Sequence, residues 1–518
     1  MRSFIIHLAF ILSFLPLVQT QAKIIHVPAD SSCIQCAING AFDGDTVLVA
    51  RGHYYERINF LGKAILVASN FIFDNDTTTI DSTIIDCDTV VVGVSDTGSV
   101  VIFCNGEDST SVLQGFTIQN GSGTFHHPYY YGCGIYCCFS SPKIIHNIIR
   151  SNQVSDENHL GGGIACIYNS FPTISQNIIR ENISYVGGGI YCAFGSDATI
   201  TENLVANNNV IHEGGGIHCQ RASPLIANNI VVENQAFCAA GIFVYRCSSL
   251  ISHNIVRGNW ATRSGAGIFV EEAEATVEGN LIYENVAPDK AGGIYCWGSP
   301  LIINNVIDRN SAGTFGGGMF VGGYNKTPII RNNVISNSLD GVSIYCYGSP
   351  KPTISYNDVW NNLDGGFFNC PPGVGDTTWG TNFNGTPSDS FYNIIRNPFF
   401  ADTINFEPLC NSPCIDAGDP TYYVPIDTGV CRIDIGARQY PYILGDANSD
   451  GTITPKGSRI GGVNVGDLVF VVNYLFANGS PSCPYHAADT NCDGLVDIGD
   501  IICLINYLFL EGPLPCGF

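Results

Sequence analysis

Positive charge is scarce in this chain. Lys and Arg number 22 against 45 Asp and Glu, a formal net charge of −23, and charged residues of all kinds make up only 13% of its 518 residues. That balance excludes a nucleic-acid binder, whose phosphates need Lys and Arg for neutralisation, and it disfavours long-range attraction to anionic membranes or polymers. After the first 22 residues no run is long and apolar enough to cross a bilayer, which takes about 20 residues. Hydrophobic residues make up 45% of the chain, too many for a disordered one, so its 58 glycines must serve a fold.

Residues 1–22 read as a secretory signal: Arg2, an apolar run from Phe4 to Val18, and Thr20-Gln21-Ala22 as a small-residue cleavage site. The competing reading is a membrane anchor. The expectation is therefore a secreted protein, extracellular or in a cell-surface assembly. Its 22 cysteines would ordinarily mean a disulfide framework. However, Cys137, Cys166, Cys192, Cys219, Cys296 and Cys346 recur at one position of a repeat and read as stacked, buried small hydrophobes. Cys33/Cys36, Cys410/Cys414 and Cys483/Cys516 fall outside that ladder and are the disulfide candidates. No paired Cys-x-x-Cys or His spacing supports zinc.

The repeat is the dominant feature. Glycine triplets begin at Gly161, Gly187, Gly214 and Gly316, with degenerate copies at Ala239, Gly265 and Ala291, at spacings of 25 to 27 residues. Asn147, Asn177, Asn203, Asn229, Asn254, Asn280, Asn305, Asn333 and Asn357 form a second marker, and another Asn follows most of them five residues later. A unit of about 26 residues, with three short β-type stretches and no helical period, is the mark of a parallel β-helix. Ile164-Ala165-Cys166 and Ile190-Tyr191-Cys192 alternate with period two, which places Ile and Cys inside and the middle residue outside. Val244, Val270 and Val321 replace Cys in some coils, in keeping with packing rather than redox chemistry. The Asn columns fit turns, where Asn tolerates left-handed backbone and hydrogen-bonds along the stack. The column Gly163, Gly189, Gly216, Gly241, Gly267, Gly293, Gly318 marks backbone that resists a side chain.

On these residues the stretch from about 23 to 440 resembles the right-handed parallel β-helix superfamily, the pectin-lyase-like fold. Asp43-Gly44-Asp45-Thr46-Val47 resembles the opening coils of secreted members, and Ser299-Pro300 through Asn304 a repeat typical of them. Ser412-Pro413-Cys414-Ile415-Asp416-Ala417-Gly418-Asp419, with Asp434-Ile435-Gly436-Ala437, resembles their C-terminal cap. The fold class implied is all-β, a solenoid with N- and C-terminal caps, followed by a small helical module over 441–518.

That module carries a calcium loop. Asp489, Asn491, Asp493, Asp497 and Asp500 supply side-chain oxygens at alternating positions, Leu495 a carbonyl, and Gly494 the sharp turn. An earlier copy has Asp446, Asn448, Asp450 and Thr452, and resumes at Asn464 and Asp467, with ten residues inserted. The helices expected after the loops are Leu468 to Phe476 and Ile501 to Phe509, both ending in Asn-Tyr-Leu-Phe. The duplication resembles a type I dockerin, an EF-hand-like module, which implies calcium as cofactor and a cohesin-like protein as partner. It departs from the pattern at Val465-Gly466 and Ile498-Gly499, where many dockerins carry hydroxyl residues.

The residues between Ile and Cys form an outward column, Tyr136, Ala165, Tyr191, His218, Phe243, Phe269, Tyr295, Phe320, Tyr345; a second holds Gln220, Tyr245, Glu271, Trp297 and Tyr347. With strands stacked about 4.8 Å apart, this makes an exposed aromatic stripe roughly 38 Å long. Its chemistry suits sugar rings, with Tyr191, His218, Phe243, Tyr245, Phe269, Tyr295, Trp297 and Tyr345 as candidate contacts. The alternative is a ladder that only stabilises the sheet. The resemblance implies Lys or Arg with calcium for a lyase, or clustered Asp for a hydrolase, and no pair here matches either pattern. His218 and Glu271 are the catalytic candidates. The functional expectation is a polysaccharide-processing or polysaccharide-binding protein, with a non-catalytic surface adhesin or structural scaffold as the alternative.

Overall fold

The computed structural model describes residues 22–88, 98–154, 156–421, 433–440, 447, 452–453, 459–460, 463–477, 479–482, 484–491 and 495–510. All of the signal segment but Ala22 therefore lies outside the described residues. Three long parallel sheets, of 13, 12 and 12 strands, run the length of a β-helix, and each coil adds one short strand to each sheet. One coil shows the plan: Thr199–Thr201, Leu204–Ala206 and Ile217–Gln220 each pair in parallel with the equivalent strand of the next coil. Register is exact along the stack, Ile164 on Ile190 on Ile217 on Ile242, and Cys166 on Cys192 on Cys219. These side chains fill one continuous core, in which the ladder cysteines are free and fully buried, as small hydrophobes are.

The glycine column is forced by backbone proximity. A Cβ on Gly241 would stand 2.3 Å from the Gly267 carbonyl oxygen, and one on Gly189 2.5 Å from that of Gly216. The asparagines are buried and wired along the axis. Asn203 donates from both its backbone N–H and its Nδ2 to Asn229 Oδ1, each at 3.0 Å, and Asn229 does the same to Asn254. A parallel ladder joins Asn182, Asn208, Asn234, Asn259, Asn285 and Asn310. One expectation needs correction: the left-handed position is not the ladder Asn but the residue before it, such as Glu202, Asn228 or His253. The ladder Asn is selected for its amide.

At the N-terminal end the helix Ile34–Gly40 buries Ile34, Ala37 and Ile38 against the first coils, and Cys33–Cys36 is a disulfide. Toward the C-terminus, Ile394, Phe406, Cys414, Ala417 and Ile435 cover the outer face of the third sheet at Leu281, Tyr283, Val306 and Val334. The cap segments join where Asp416 N–H donates to Asp434 Oδ1 at 2.9 Å and Gly418 N–H to Ile433 O at 2.8 Å. The expected Cys410–Cys414 bridge does not form. Cys410 is disulfide-bonded elsewhere, while Cys414 is a free, buried thiol whose packing role and hydrogen bond to Asp358 hold it in the core. Cys483 and Cys516 lie outside the described residues.

A fourth sheet of six two- to five-residue strands, among them Asn209–Val210, Gln235–Cys238 and Trp260–Ser264, runs along one flank. Beside it a hairpin, Thr124–His126 with Tyr129–Tyr131, pairs with His159–Leu160. No helix among the described residues is long and apolar enough to cross a membrane.

Candidate functional site

The aromatic column is continuous in space. Ring centroids step from Tyr191 to His218 (5.2 Å), Phe243 (4.8 Å), Phe269 (5.2 Å), Tyr295 (4.0 Å) and Phe320 (5.0 Å). It is not, however, the exposed stripe expected. Tyr191 is 2% exposed, His218 3%, Phe243 3%, Phe269 8% and Phe320 0%. Tyr295 and Tyr345 are half-buried. The cause is local. Gly187, Gly214 and Gly265 turn back with positive φ against the side chain four residues later, so a Cβ on Gly214 would meet His218 at 2.5 Å and one on Gly265 would meet Phe269 at 2.2 Å.

Solvent reaches instead the second column, where Gln220, Tyr245, Glu271 and Trp297 are half-buried and stand in register on successive strands, and Tyr347 is exposed. Where this column meets the flank a groove of about 540 Å³ opens. Tyr191, His218 and Phe243 line its floor, Tyr245 and Glu271 one side, and Tyr129, Tyr185 and Glu213 the flank side. The sites expected at Tyr191, His218, Phe243, Tyr245 and Glu271 are thus brought together, whereas Phe269, Tyr295, Trp297 and Tyr345 are not among the lining residues.

The electrostatics of the groove follow from burial. Desolvation pushes the Glu213 carboxyl up, opposed by His212, whose Nδ1 lies 3.7 Å from Glu213 Oε1. Glu271 is pushed up first by desolvation, then by the charges of Glu213 and Glu272, with Arg246 acting the other way. Burial lowers His218 to about 3 against a backbone hydrogen bond with Glu213, so its imidazole is neutral at ordinary pH. His218 therefore supplies an aromatic face and not a charge. Glu213 is not among the residues the sequence points to. Its signal is position: it precedes the Gly214 triplet, on a flank whose strands are too short to show a period.

In the C-terminal module the helices are Val465–Phe476 and Ile498–Phe509, each starting three residues earlier than expected. Capping boxes set the start: Asn464 with Asp467, and Asp497 with Asp500. The carboxyls of Asp467, Asp489 and Asp500 are fully buried. Asp500 accepts from the Asn491 backbone N–H at 3.2 Å and the Asp497 backbone N–H at 2.8 Å, and burial, reinforced by the Asp489 charge, pushes it up. Buried oxygen donors that repel one another suit a hard divalent cation. Leu495 is exposed, and Thr452 begins a two-residue strand paired with Arg459–Ile460. Among the described residues no three His, Cys, Asp or Glu side chains converge as a metal cluster, and Asp446, Asn448, Asp450 and Asp493 lie outside the described residues.

A family model described as "Right handed beta helix region" matches residues 63–261 and 235–383. No curated protein matches the chain. Among solved structures, the PL6 family alginate lyase AlyGC aligns at 16% identity and TM-score 0.44, over 71% of this chain and 55% of its own. Pectate lyase Pel9A aligns at 12% identity and TM-score 0.40, over 81% of this chain and 97% of its own.

Proposed function

This chain belongs to the right-handed β-helix family, and on that scaffold we propose a secreted polysaccharide-processing or polysaccharide-binding protein that holds its glycan in the groove beside Tyr245. One observation carries the reading: aromatic faces and partly buried carboxyls line a single groove of about 540 Å³. Stiff aromatic faces suit sugar rings, and carboxyls of raised pKa suit proton transfer to or from a glycosidic oxygen. Tyr245→Ala is expected to weaken retention of the preferred polysaccharide about tenfold, the loss of about 1.4 kcal/mol of stacking. Affinity electrophoresis across a polysaccharide panel checks this, and unchanged mobility of the variant in every retarding gel would remove Tyr245 from the site. A non-catalytic adhesin is the second reading. It is favoured by the rings continuing past the groove, Trp297 lying 6.4 Å from Tyr347.

Residues 441–518 are proposed to be a dockerin-like domain that binds calcium and attaches to a cohesin-like partner. The support is a duplicated apolar face. Val465, Val469, Val472 and Phe476 are exposed on one helix, and Ile498, Ile502, Ile505 and Phe509 at the same spacings on the other. Offsets of four, seven and eleven residues put each set on a single stripe. Calcium supplies the positive charge that lets Asp489 and Asp500 stay buried together, and Asn464, Asp467, Asn491 and Asp497 are the other described candidates for holding it. Chelation is therefore expected to speed proteolysis of residues 441–518 at least tenfold while the β-helix survives as a resistant fragment. Mass spectrometry of a limited digest reads this out, and equal digestion with and without chelator would count against the metal.

A further inference from the structure

We propose that the groove hydrolyses an uncharged glycan, with Glu271 giving a proton to the leaving oxygen and Glu213 activating the attacking water. This rests on the glycan reading above and narrows it to one substrate class and one reaction.

The charge of the lining is the first ground. Its titratable side chains include Glu157, Glu213 and Glu271 but neither Lys nor Arg. Arg246 and Arg263 lie outside that lining and already have partners. Arg246 is ion-paired with Glu272 at 2.6 Å and stands over the Tyr245 ring, and Arg263 stands over Phe237. His218, the one imidazole in the floor, is neutral for the reason given. A polymer with a carboxylate on each sugar would bring like charge into a half-buried space, where repulsion is poorly screened. Elimination from such a sugar has a further requirement. Removing the proton beside a carboxylate builds negative charge that needs cationic stabilisation at that point. An uncharged chain meets neither obstacle, and the aromatic floor offers its rings apolar faces.

The division of roles is the second ground. Glu271 follows Tyr245 by one strand in the register of the second column, and Glu213 faces the same space from the flank. Glu271 faces two further carboxylates, Glu213 and Glu272, which favour its holding a proton, although Arg246 opposes them. Tyr295 and Cys238 also face Glu271, and both are pushed to high pKa, so they remain neutral. Burial raises Glu213 as well, but there the one charge beside it is His212, which opposes the rise, whereas at Glu271 like charges add to it. The environments thus push the pair toward one acid and one base. The bond that breaks joins the anomeric carbon to the bridging oxygen. The Glu271 proton goes to that oxygen, water adds hydroxide to the carbon, and the remaining water proton goes to Glu213. Exchange with solvent then resets both carboxyls, and no other reactant is needed.

The test incubates the full-length protein with glucan, xylan and mannan on one side and polygalacturonate and alginate on the other, with and without calcium, and identifies chain ends by mass spectrometry. Expected are hydrated oligosaccharides from an uncharged polymer and a bell-shaped pH profile. Glu271→Gln should lower the rate at least 100-fold and abolish the alkaline limb, with retention of the polymer within about twofold; Glu213→Gln should abolish the acidic limb. A residue that only shaped the groove would change retention and leave the limbs in place. Unsaturated ends, or cleavage or retention confined to the uronate polymers, would overturn the substrate class while leaving glycan processing in place. Retention of an uncharged polymer without cleavage would overturn the assignment of Glu271 and Glu213. Retention of none of the five would overturn the glycan reading itself.

Discussion

Replacing Asn229 by Ala is expected to cost the β-helix roughly 4 kcal/mol of stability, more than an average core truncation. The side chain is 1% exposed and serves three coils. Its Oδ1 accepts the Asn203 backbone N–H and Nδ2, and its Nδ2 donates to Ile200 O at 2.8 Å, Ala227 O at 3.1 Å and Asn254 Oδ1 at 3.0 Å. Alanine would leave the Asn203 N–H without an acceptor in a dry interior, an orphan that costs about 1–3 kcal/mol, and would remove the four other bonds of the side chain. Aspartate does not rescue it, because it keeps the acceptor, loses the donor and buries a charge. Leu225→Ala in the same coil is the control: Leu225 is 36% exposed, and its loss should cost under about 1 kcal/mol. Denaturant unfolding followed by circular dichroism compares the two, and equal midpoints would mean that the ladder is decorative. In a solenoid each coil contacts only its neighbours, so the damage is expected to spread from coil 229 to the coils on either side.

What could be read before any coordinates follows from how a repeat exposes its constraints. Ile190, Ile217 and Ile242 face inward in every coil, so their column is visible as a period, and the structure places them there. Gly216 and Gly241 were legible for the same reason, since close approach of adjacent backbones excludes Cβ wherever it recurs. The asparagine ladders are legible as columns but their backbone is not, because a left-handed residue such as Glu202 or His253 varies in identity and only its neighbour repeats. Burial of the aromatic column was not legible. Alternation says which side of a strand Phe243 leaves, but not that Cys238 of a flank strand packs against its cluster and that the turn at Gly265 lies against Phe269. Glu213 carries no such signal, since it occurs once and outside the strands that show the period. The helices are expected to begin after the loops, at Leu468 and Ile501, whereas their starts are set by Asn464 and Asp497, polar side chains that serve as caps and are also candidate cation ligands.

Between pH 5 and pH 8 the fold is expected to lose stability through Asp358. This carboxyl is fully buried under the C-terminal cap, where its Oδ1 accepts the Arg396 backbone N–H at 3.1 Å and its Oδ2 the Cys414 thiol at 3.3 Å. Desolvation outweighs those bonds and the Arg396 charge, and raises it from 3.8 to about 7. An acid whose folded pKa lies above its unfolded value binds more protons when folded. Stability therefore falls as pH rises from about 4 to about 7 and levels off above that. From pH 5 the loss is on the order of 3 kcal/mol, two pH units at about 1.4 kcal/mol each. Asp358→Asn keeps the acceptor for Arg396 and removes the charge. It should match the parent within about 1 kcal/mol at pH 5 and exceed it by roughly 3 kcal/mol at pH 8. Other raised carboxyls, Asp308 and Asp434 among them, slope the same way in both proteins, so only the difference between the two curves reports Asp358. Calorimetry at the two pH values measures it, and a difference that does not change with pH would show that Asp358 is ionised in the folded cap. The cap would then be held by a buried carboxylate, and Arg396 and Cys414 would be the groups that stabilise its charge.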